Sequence, residues 1–255
     1  MNIKGLKREN DRNETFSILH NNVGSLRQNL ENLETHLLNE LDFDFDVIGI
    51  TETKITDNSL PLVTNFNIEG YTFEYVPTPL ASVGVGIYVS NFLDYSVIKR
   101  TANKDFQGLW IEIRFDDRKN IICGCVYRQH SLPENFMQYI KNTIQNLDSK
   151  NKTIFLLGDF NIDLLKAGVN NYSHNFLLAL QSSFMIPTID KPTRVYNNSA
   201  TLIDNIFINS PDKIVNCGNI ISDISDHYSQ FCVTSITKNK PKLAKRKSCK
   251  CNISC

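Results

Sequence analysis

Neither sign of charge is in excess in this chain of 255 residues, where 27 lysines and arginines balance 27 aspartates and glutamates. Nothing global therefore announces a nucleic-acid partner, and any phosphate must be met by a local basic patch. Long apolar runs are missing too: none approaches the ~20 residues of a membrane-crossing helix. The first thirteen residues, MNIKGLKRENDRN, hold no apolar stretch of the kind a secretory signal needs. Those absences give the expectation of a soluble, intracellular protein with no membrane partner. The seven cysteines cannot all pair with one another, and four of them, Cys123, Cys125, Cys217 and Cys232, lie inside or beside apolar runs. That usage fits reduced thiols better than a disulfide framework. Cys249, Cys251 and Cys255 have no histidine nearby and no second pair, so a zinc site is a weak reading of them. No internal repeat and no low-complexity linker precede residue 238.

Charge is uneven locally. Lys238, Lys240, Lys242, Lys245, Arg246, Lys247 and Lys250 follow one another without an acid between them, which leaves the rest of the chain mildly acidic. Three parts are expected: a loose leader over 1–13, one domain over 14–237, and a basic, cysteine-containing tail over 238–255. Within the domain, short apolar runs predict strands at Phe16–Leu19, Val47–Ile50, Gly70–Tyr75, Gly84–Val89, Leu109–Phe115, Ile121–Val126, Ile154–Leu157, Ile203–Ile208 and Phe231–Thr234. The 109–115 segment alternates like a half-solvated antiparallel strand. Leu26, Leu30, Leu33, Leu37 and Leu41 predict one continuous helix capped by Ser25. Ser131 and Glu134 form a capping box for a helix whose apolar face is Phe136, Ile140, Ile144 and Leu147. Ser173–Phe184 predicts a third helix, and Val195–Ala200 a polar turn region. Strands and helices without a strict βαβ rhythm predict an α+β fold of mixed, mostly antiparallel strands.

The polar residues at the ends of these runs carry the chemistry. Asn22 follows one strand, Glu52 a second, Tyr127 a third, and Asp159 and Asn161 a fourth. Asp204 opens a fifth, and Asp226 and His227 precede a sixth. Any one of them is explained by a turn or a surface charge, because Asp and Asn favour turns through their own backbone hydrogen bonds. Six such ends are more than turn chemistry needs. If they converge, they gather carboxylates, amides, a tyrosine and a histidine, an inventory that suits a hard divalent cation such as Mg²⁺. The implied reaction is hydrolysis of a phosphate ester. Asp163 and Asp223 are expected to be solvated turn residues. His20, His36 and His174 are expected on the surface or on helix faces, and Trp110 in the core.

The same residues resemble, in order, the motifs of the endonuclease/exonuclease/phosphatase superfamily. They are Asn22-Val23-Gly24-Ser25-Leu26, Ile50-Thr51-Glu52-Thr53-Lys54, Tyr127-Arg128, Gly158-Asp159-Phe160-Asn161, Leu202-Ile203-Asp204-Asn205-Ile206-Phe207 and Ser225-Asp226-His227. His20-Asn21-Asn22-Val23-Gly24-Ser25-Leu26, Lys191-Pro192-Thr193-Arg194 and Thr201-Leu202-Ile203-Asp204 further resemble the apurinic-type endonuclease domain of non-LTR, LINE-type retrotransposons. The resemblance implies a four-layer α/β sandwich of two packed sheets flanked by helices. It also implies Glu52 as the main Mg²⁺ ligand with Asn22 beside it and Asp226 near the metal, Mn²⁺ being a substitute ion. Asp159 would orient or deprotonate the attacking water, and Asn161 would hold the phosphate or the water. Asp204 would orient His227, which donates to the scissile phosphate, and Tyr127 would contact the phosphate or stabilise the leaving group. The implied activity is nicking of one DNA strand to leave a 3′-hydroxyl for target-primed reverse transcription, in the nucleus. A reverse transcriptase and an element RNA would be partners only within a longer element protein.

Three departures from the family pattern stand out: Asn205 where histidine is common, His130 where proline or asparagine is common, and a thin glycine segment at 81–86. Competing readings are a phosphatase or phosphodiesterase on a small or lipid phosphate, and a truncated, non-catalytic nucleic-acid-binding remnant. Inositol-phosphate members of the superfamily usually carry an arginine soon after the Gly-Asp-x-Asn core, and Phe160-Asn161-Ile162-Asp163-Leu164 has none.

Overall fold

The computed structural model describes residues 14–56, 66–78, 83–116, 118–129, 133–147 and 152–238, without the side chains of 133 and 134. The leader, His130, the Ser131 capping box, Ala81, Ser82 and the tail from residue 239 lie outside the described residues.

Two six-stranded mixed sheets face each other. The first runs β13 (Ile214–Ile220), β14 (Ser229–Thr234), β1 (Phe16–Asn22), β2 (Val47–Thr51), β4 (Val85–Ser90) and β3 (Tyr71–Val76). The second runs β5 (Tyr95–Ala102), β6 (Phe106–Ile113), β7 (Ile121–Arg128), β8 (Thr153–Asp159), β12 (Asp204–Ile208) and β9 (Ile186–Pro187). A small hairpin, β10 (Arg194–Tyr196) and β11 (Ser199–Thr201), stands apart from both.

Three apolar layers hold four structural layers together. Between the sheets pack Phe16, Ile18, Val47, Val85, Ile87, Leu109, Ile111, Cys123, Cys125, Phe155, Leu157 and Ile206. Leu26, Leu33 and Leu37 cover the outer face of the first sheet at Leu19, Ile48, Ile50 and Tyr88. On the outside of the second, Phe136, Ile140 and Ile144 of α2 (Pro133–Asn146) and Phe176 and Leu180 of α3 (Asn171–Gln181) meet Trp110, Ile122, Val126, Ile154 and Leu156. Strands covered on both faces need apolar residues at consecutive positions rather than at alternate ones. Such runs therefore mark β1, β2, β7 and β8, where every residue is buried. The sheets approach so closely at Gly49 that a Cβ there would lie 2.2 Å from Leu157. The α+β sandwich expected from the sequence is the fold observed.

Strand direction explains why the polar ends meet. Each sheet contains one parallel pair, β1 with β2 and β7 with β8, so all four of these strands finish at one end of the sandwich. β14 runs antiparallel to β1, and β12 antiparallel to β8, so both begin at that same end.

Several expectations need correction. The leucine-rich helix is α only over α1 (Leu26–Asn32) and continues as a π-helical stretch, Leu33–Asn39. Leu33, Leu37 and Leu41 follow four apart, and a wider i→i+5 winding keeps such steps on one face. Ser25 occupies the N-cap position but makes no side-chain cap. β6 is not half-solvated: α2 covers the face that alternation would have given to water, and Trp110 is fully buried. Val195–Ala200 is the strand-turn-strand of β10 and β11 rather than an irregular turn. The third helix ends at Gln181, short of Phe184, which is exposed. β5 and β13 have no counterpart among the strands expected from the sequence. Asp163 is tied down rather than solvated, accepting from Leu165 N and Leu202 N. His20 is completely buried on β1, whereas His36 and His174 are exposed as expected.

Candidate active site at the shared strand ends

Glu52 is the first residue beyond β2 and holds a left-handed backbone, φ 54°. Hydrogen bonds on both sides impose that conformation: Val23 N donates to Thr51 O, Leu26 N to Thr53 O, Thr53 N to Gly84 O, and Lys54 N to Val83 O. The start of α1 and the start of β4 thus clamp the arch that carries Glu52. A left-handed residue with a Cβ costs roughly 1–2 kcal/mol, a strain usually met where a side chain must be aimed.

Asp159 closes β8. Gly158 before it has φ +152°, and a Cβ there would sit 1.8 Å from Val126 O, so only glycine lets β8 lie against β7 at this point. Beyond Asp159 the chain turns sharply. Phe160 N donates to Ile203 O, Asn161 N to Asp159 Oδ1, and Asn161 is again left-handed at φ 50°. Phe160 points away from the site into an aromatic cluster with Phe136, Phe176 and Phe207.

These ends meet in one connected network. Asn22 Nδ2 donates to Glu52 Oε1 at 3.0 Å and to Asp159 Oδ2 at 2.8 Å, joining the two sheets. Its oxygen accepts from Gly24 N, so the amide nitrogen, not the oxygen, faces the carboxylates. Tyr127 Oη lies 3.4 Å from Glu52 Oε1. Asp204 stands directly opposite Asp159 across the β8–β12 pair, and His227 Nδ1 is 2.8 Å from Asp204 Oδ2. Thr193 Oγ1 donates to the same oxygen at 2.7 Å and accepts from Ile203 N and Asp204 N. Asp226 is half exposed, paired with Arg194 at 2.7 Å and 3.9 Å from His227 Nε2. Asn205 faces elsewhere and pins Thr188 and Ile189 through its amide.

Electrostatics follow from this packing. Burial, with Asp204 close by, lifts the Asp159 carboxyl to about 7. Burial alone would lower His227, but Asp204, Asp159 and Asp226 outweigh it and raise the imidazole to about 9. Burial works against the Asp204 carboxylate too, yet His227 and Thr193 hold it below the usual range. Tyr127 is pushed up by burial and by the charges of Glu52 and Asp159, so its hydroxyl stays protonated.

With Asp159 ionised, two buried carboxylates against one imidazolium leave a net negative charge out of water, which a cation would offset. Ligand atoms of Asp159, Asp204 and His227 lie within 4.8 Å of one another. Asp204 Oδ1 is buried with no hydrogen-bond partner among the described residues, the kind of atom that an ion or its water satisfies. With Glu52 adjacent, the donors open to an ion are carboxylate oxygens, without thiolate, and so fit a hard divalent cation, His227 being protonated and no ligand. Within one network the site offers a carboxylate able to take a proton, an imidazolium able to donate to an oxyanion, and a neutral hydroxyl.

Three supports of the site were not evident from the sequence. Thr193 lies in one of the retrotransposon-like motifs, but its bond to Asp204 depends on the β10–β11 hairpin folding over the site. His20 joins three strands, with Nδ1 2.6 Å from Gln230 Oε1 and Nε2 3.2 Å from Thr51 Oγ1. Gln230 Nε2 donates to Tyr228 O, so the Gln230 oxygen accepts and the His20 proton sits on Nδ1. Arg128, next to Tyr127, reaches the backbone of the turn beyond Asp159.

A set of this kind, at one end of two packed sheets, offers the acid, base and cation-holding groups that phosphoester hydrolysis needs. Residues 15–227 match the model of the Endonuclease/Exonuclease/phosphatase family, and the chain belongs to that family. Its fold is similar to the AP endonuclease LMAP from Leishmania major, with TM-score 0.70 and 13% identity over 89% of this chain and 90% of that one. It is also similar to the endonuclease domain of TRAS1, a telomere-specific non-LTR retrotransposon, with TM-score 0.68 and 16% identity over 88% of this chain and all of that one, 100%. The catalytic domain of Xenopus laevis APE2 matches at TM-score 0.65 and 15% identity, over 89% and 95% of the two chains. No match is found among curated protein sequences. Among the described residues, no helix is long and apolar enough to cross a membrane.

Proposed function

We propose that this chain is a Mg²⁺-dependent DNA endonuclease that nicks one strand and leaves a 3′-hydroxyl for target-primed reverse transcription of a retroelement. The observation that carries the reading is the Asn22 amide, which binds Glu52 of one sheet and Asp159 of the other and so makes one site of the two. Glu52 is the principal residue to hold the ion, with Asn22 beside it, bonded to the Glu52 carboxylate, and Asp226 nearby. Bound there, Mg²⁺ or Mn²⁺ supplies positive charge to the phosphate oxygens. Asp159, with a pKa near neutrality, orients and deprotonates the attacking water. His227, kept as an imidazolium by Asp204, donates to the scissile phosphate. Asn161 holds the phosphate or the water, and the Tyr127 hydroxyl contacts the phosphate or the leaving oxygen.

The retroelement assignment is supported by the motifs around His20, Lys191 and Thr201 and by the likeness in fold to the TRAS1 domain. On this reading DNA is the substrate, the nucleus is the place of action, and a reverse transcriptase and element RNA are partners within a longer element protein. Purified protein should convert supercoiled plasmid to open circles in Mg²⁺, with ends that a polymerase extends, and EDTA should stop it. Asp159→Ala should lower the rate by roughly 10²–10⁴-fold, the usual range for a general base. Equal activity in wild type and variant, or none in either, rejects the proposal.

A further inference from the structure

Arg128, the last residue of β7, is almost fully buried, an unusual place for a guanidinium. Its bonds to the turn beyond Asp159 go to main-chain carbonyls. Nε donates to Phe160 O at 2.6 Å, and one terminal nitrogen donates to Asn161 O at 2.8 Å. Asn161 Nδ2 returns a bond to Arg128 O at 2.7 Å. The guanidinium also lies over the Tyr172 ring of α3, 5.7 Å from its centroid. The planar fork therefore closes a reciprocal bracket around the turn that carries Asp159 and Asn161, at the point where Asn161 holds a left-handed backbone. Carbonyls in succession point to one side there, and a flat cation with several fixed donors suits such a pair.

We propose that Arg128 is a positioning residue for the reaction: it fixes the Asp159–Asn161 turn so that Asp159 and the Asn161 amide meet the substrate in register. The inference rests on the endonuclease reading for its kinetic consequences, but its structural content does not. Misplacing a reacting group by about 1 Å can cost 10²-fold in rate. Arg128→Met should therefore lower kcat on the order of 100-fold with KM for DNA changed by less than about twofold. Arg128→Lys keeps the charge but cannot span both carbonyls, so it should restore only part of that loss.

Kinetics of wild type and both variants, scaled to the folded fraction at the assay temperature, form the first arm. Nitrogen-15 NMR of the same proteins in EDTA forms the second. In Arg128→Met the Asn161 backbone and side-chain amide signals should move and lose exchange protection, while those of Thr153–Leu157 stay in place. If Arg128→Met does not fold, Arg128→Lys decides: full kcat with unmoved Asn161 signals overturns the proposal. A folded Arg128→Met with wild-type kcat, or with unmoved Asn161 signals, overturns it as well. A wild type that never nicks DNA rejects the endonuclease reading alone, and the NMR arm still settles whether Arg128 sets the turn.

Discussion

Asp159 and Asp204 lie directly opposite each other on antiparallel strands, both almost fully buried. Two carboxylates so placed repel each other and lose hydration, and His227 compensates only one charge. The surrounding sheets hold the pair in place at a cost to stability.

The first prediction follows from that cost. In EDTA, Asp159 binds a proton more tightly folded than unfolded, with a pKa of about 7 against an ordinary 3.8. Its favourable protonated state is complete below about pH 4 and is lost as pH rises through 7, at up to roughly 1.4 kcal/mol per unit. Asp159→Asn should therefore be more stable than wild type at pH 8, by on the order of 1–3 kcal/mol, while losing nicking activity. Urea unfolding at pH 4.5 and pH 8 measures it. A variant no more stable than wild type at pH 8 would show that the pair carries no strain.

His227 supplies the second. Its pKa is raised from 6.5 to about 9, so the stability it gains from Asp204 is whole below pH 6.5 and disappears as pH rises through 9. In Asp204→Asn the largest attraction is gone while burial and the weaker pull of Asp159 and Asp226 remain, so the midpoint should fall below that of wild type. NMR titration of the His227 ring should show both midpoints. A wild-type midpoint near 6.5 would contradict the imidazolium role.

The basic segment beyond Lys238 gives the third. Truncation after Lys238 should weaken DNA binding at low salt and make the slope of log K against log salt shallower, by about 0.9 for every phosphate that the tail neutralises. Turnover at saturating DNA should not change. An identical slope with and without residues 239–255 would show that the tail binds no phosphate.

The fourth concerns Lys238 itself, whose ammonium contacts both oxygens of buried Asp46 at 2.7 and 2.8 Å. Ser17 N and Oγ complete that carboxylate. Burial raises the Asp46 pKa even so. Lys238→Met should cost roughly 2–4 kcal/mol, near the lower end for breaking a buried pair because Ser17 remains. Asp46→Asn in the same background should recover part of the loss in a thermal melt.

The sandwich, and the meeting of Asn22, Glu52, Tyr127, Asp159, Asn161, Asp204, Asp226 and His227 at one end of it, were legible in the sequence because those residues flank apolar runs. What was not legible depends on partners far along the chain. His20 meets Gln230 across 210 positions, and nothing local to His20 marks it as buried. Arg128 is only a motif neighbour until the chain returns at Phe160. β5 and β13 lie at sheet edges with half-exposed side chains, so neither apolar runs nor alternation outline them. The π-helical stretch differs from an α-helix only in a spacing that five leucines leave undetermined.

The Lys238–Asp46 pair also fixes one end of a strand. Asp46 precedes β2 and Glu52 follows it, so Lys238 is anchored at the pole opposite the site, separated by the five residues of that strand, or ~17 Å. The strand whose far end delivers Glu52 is therefore pinned at its near end by a buried charge pair, so loosening that pair should be felt at the opposite pole through β2.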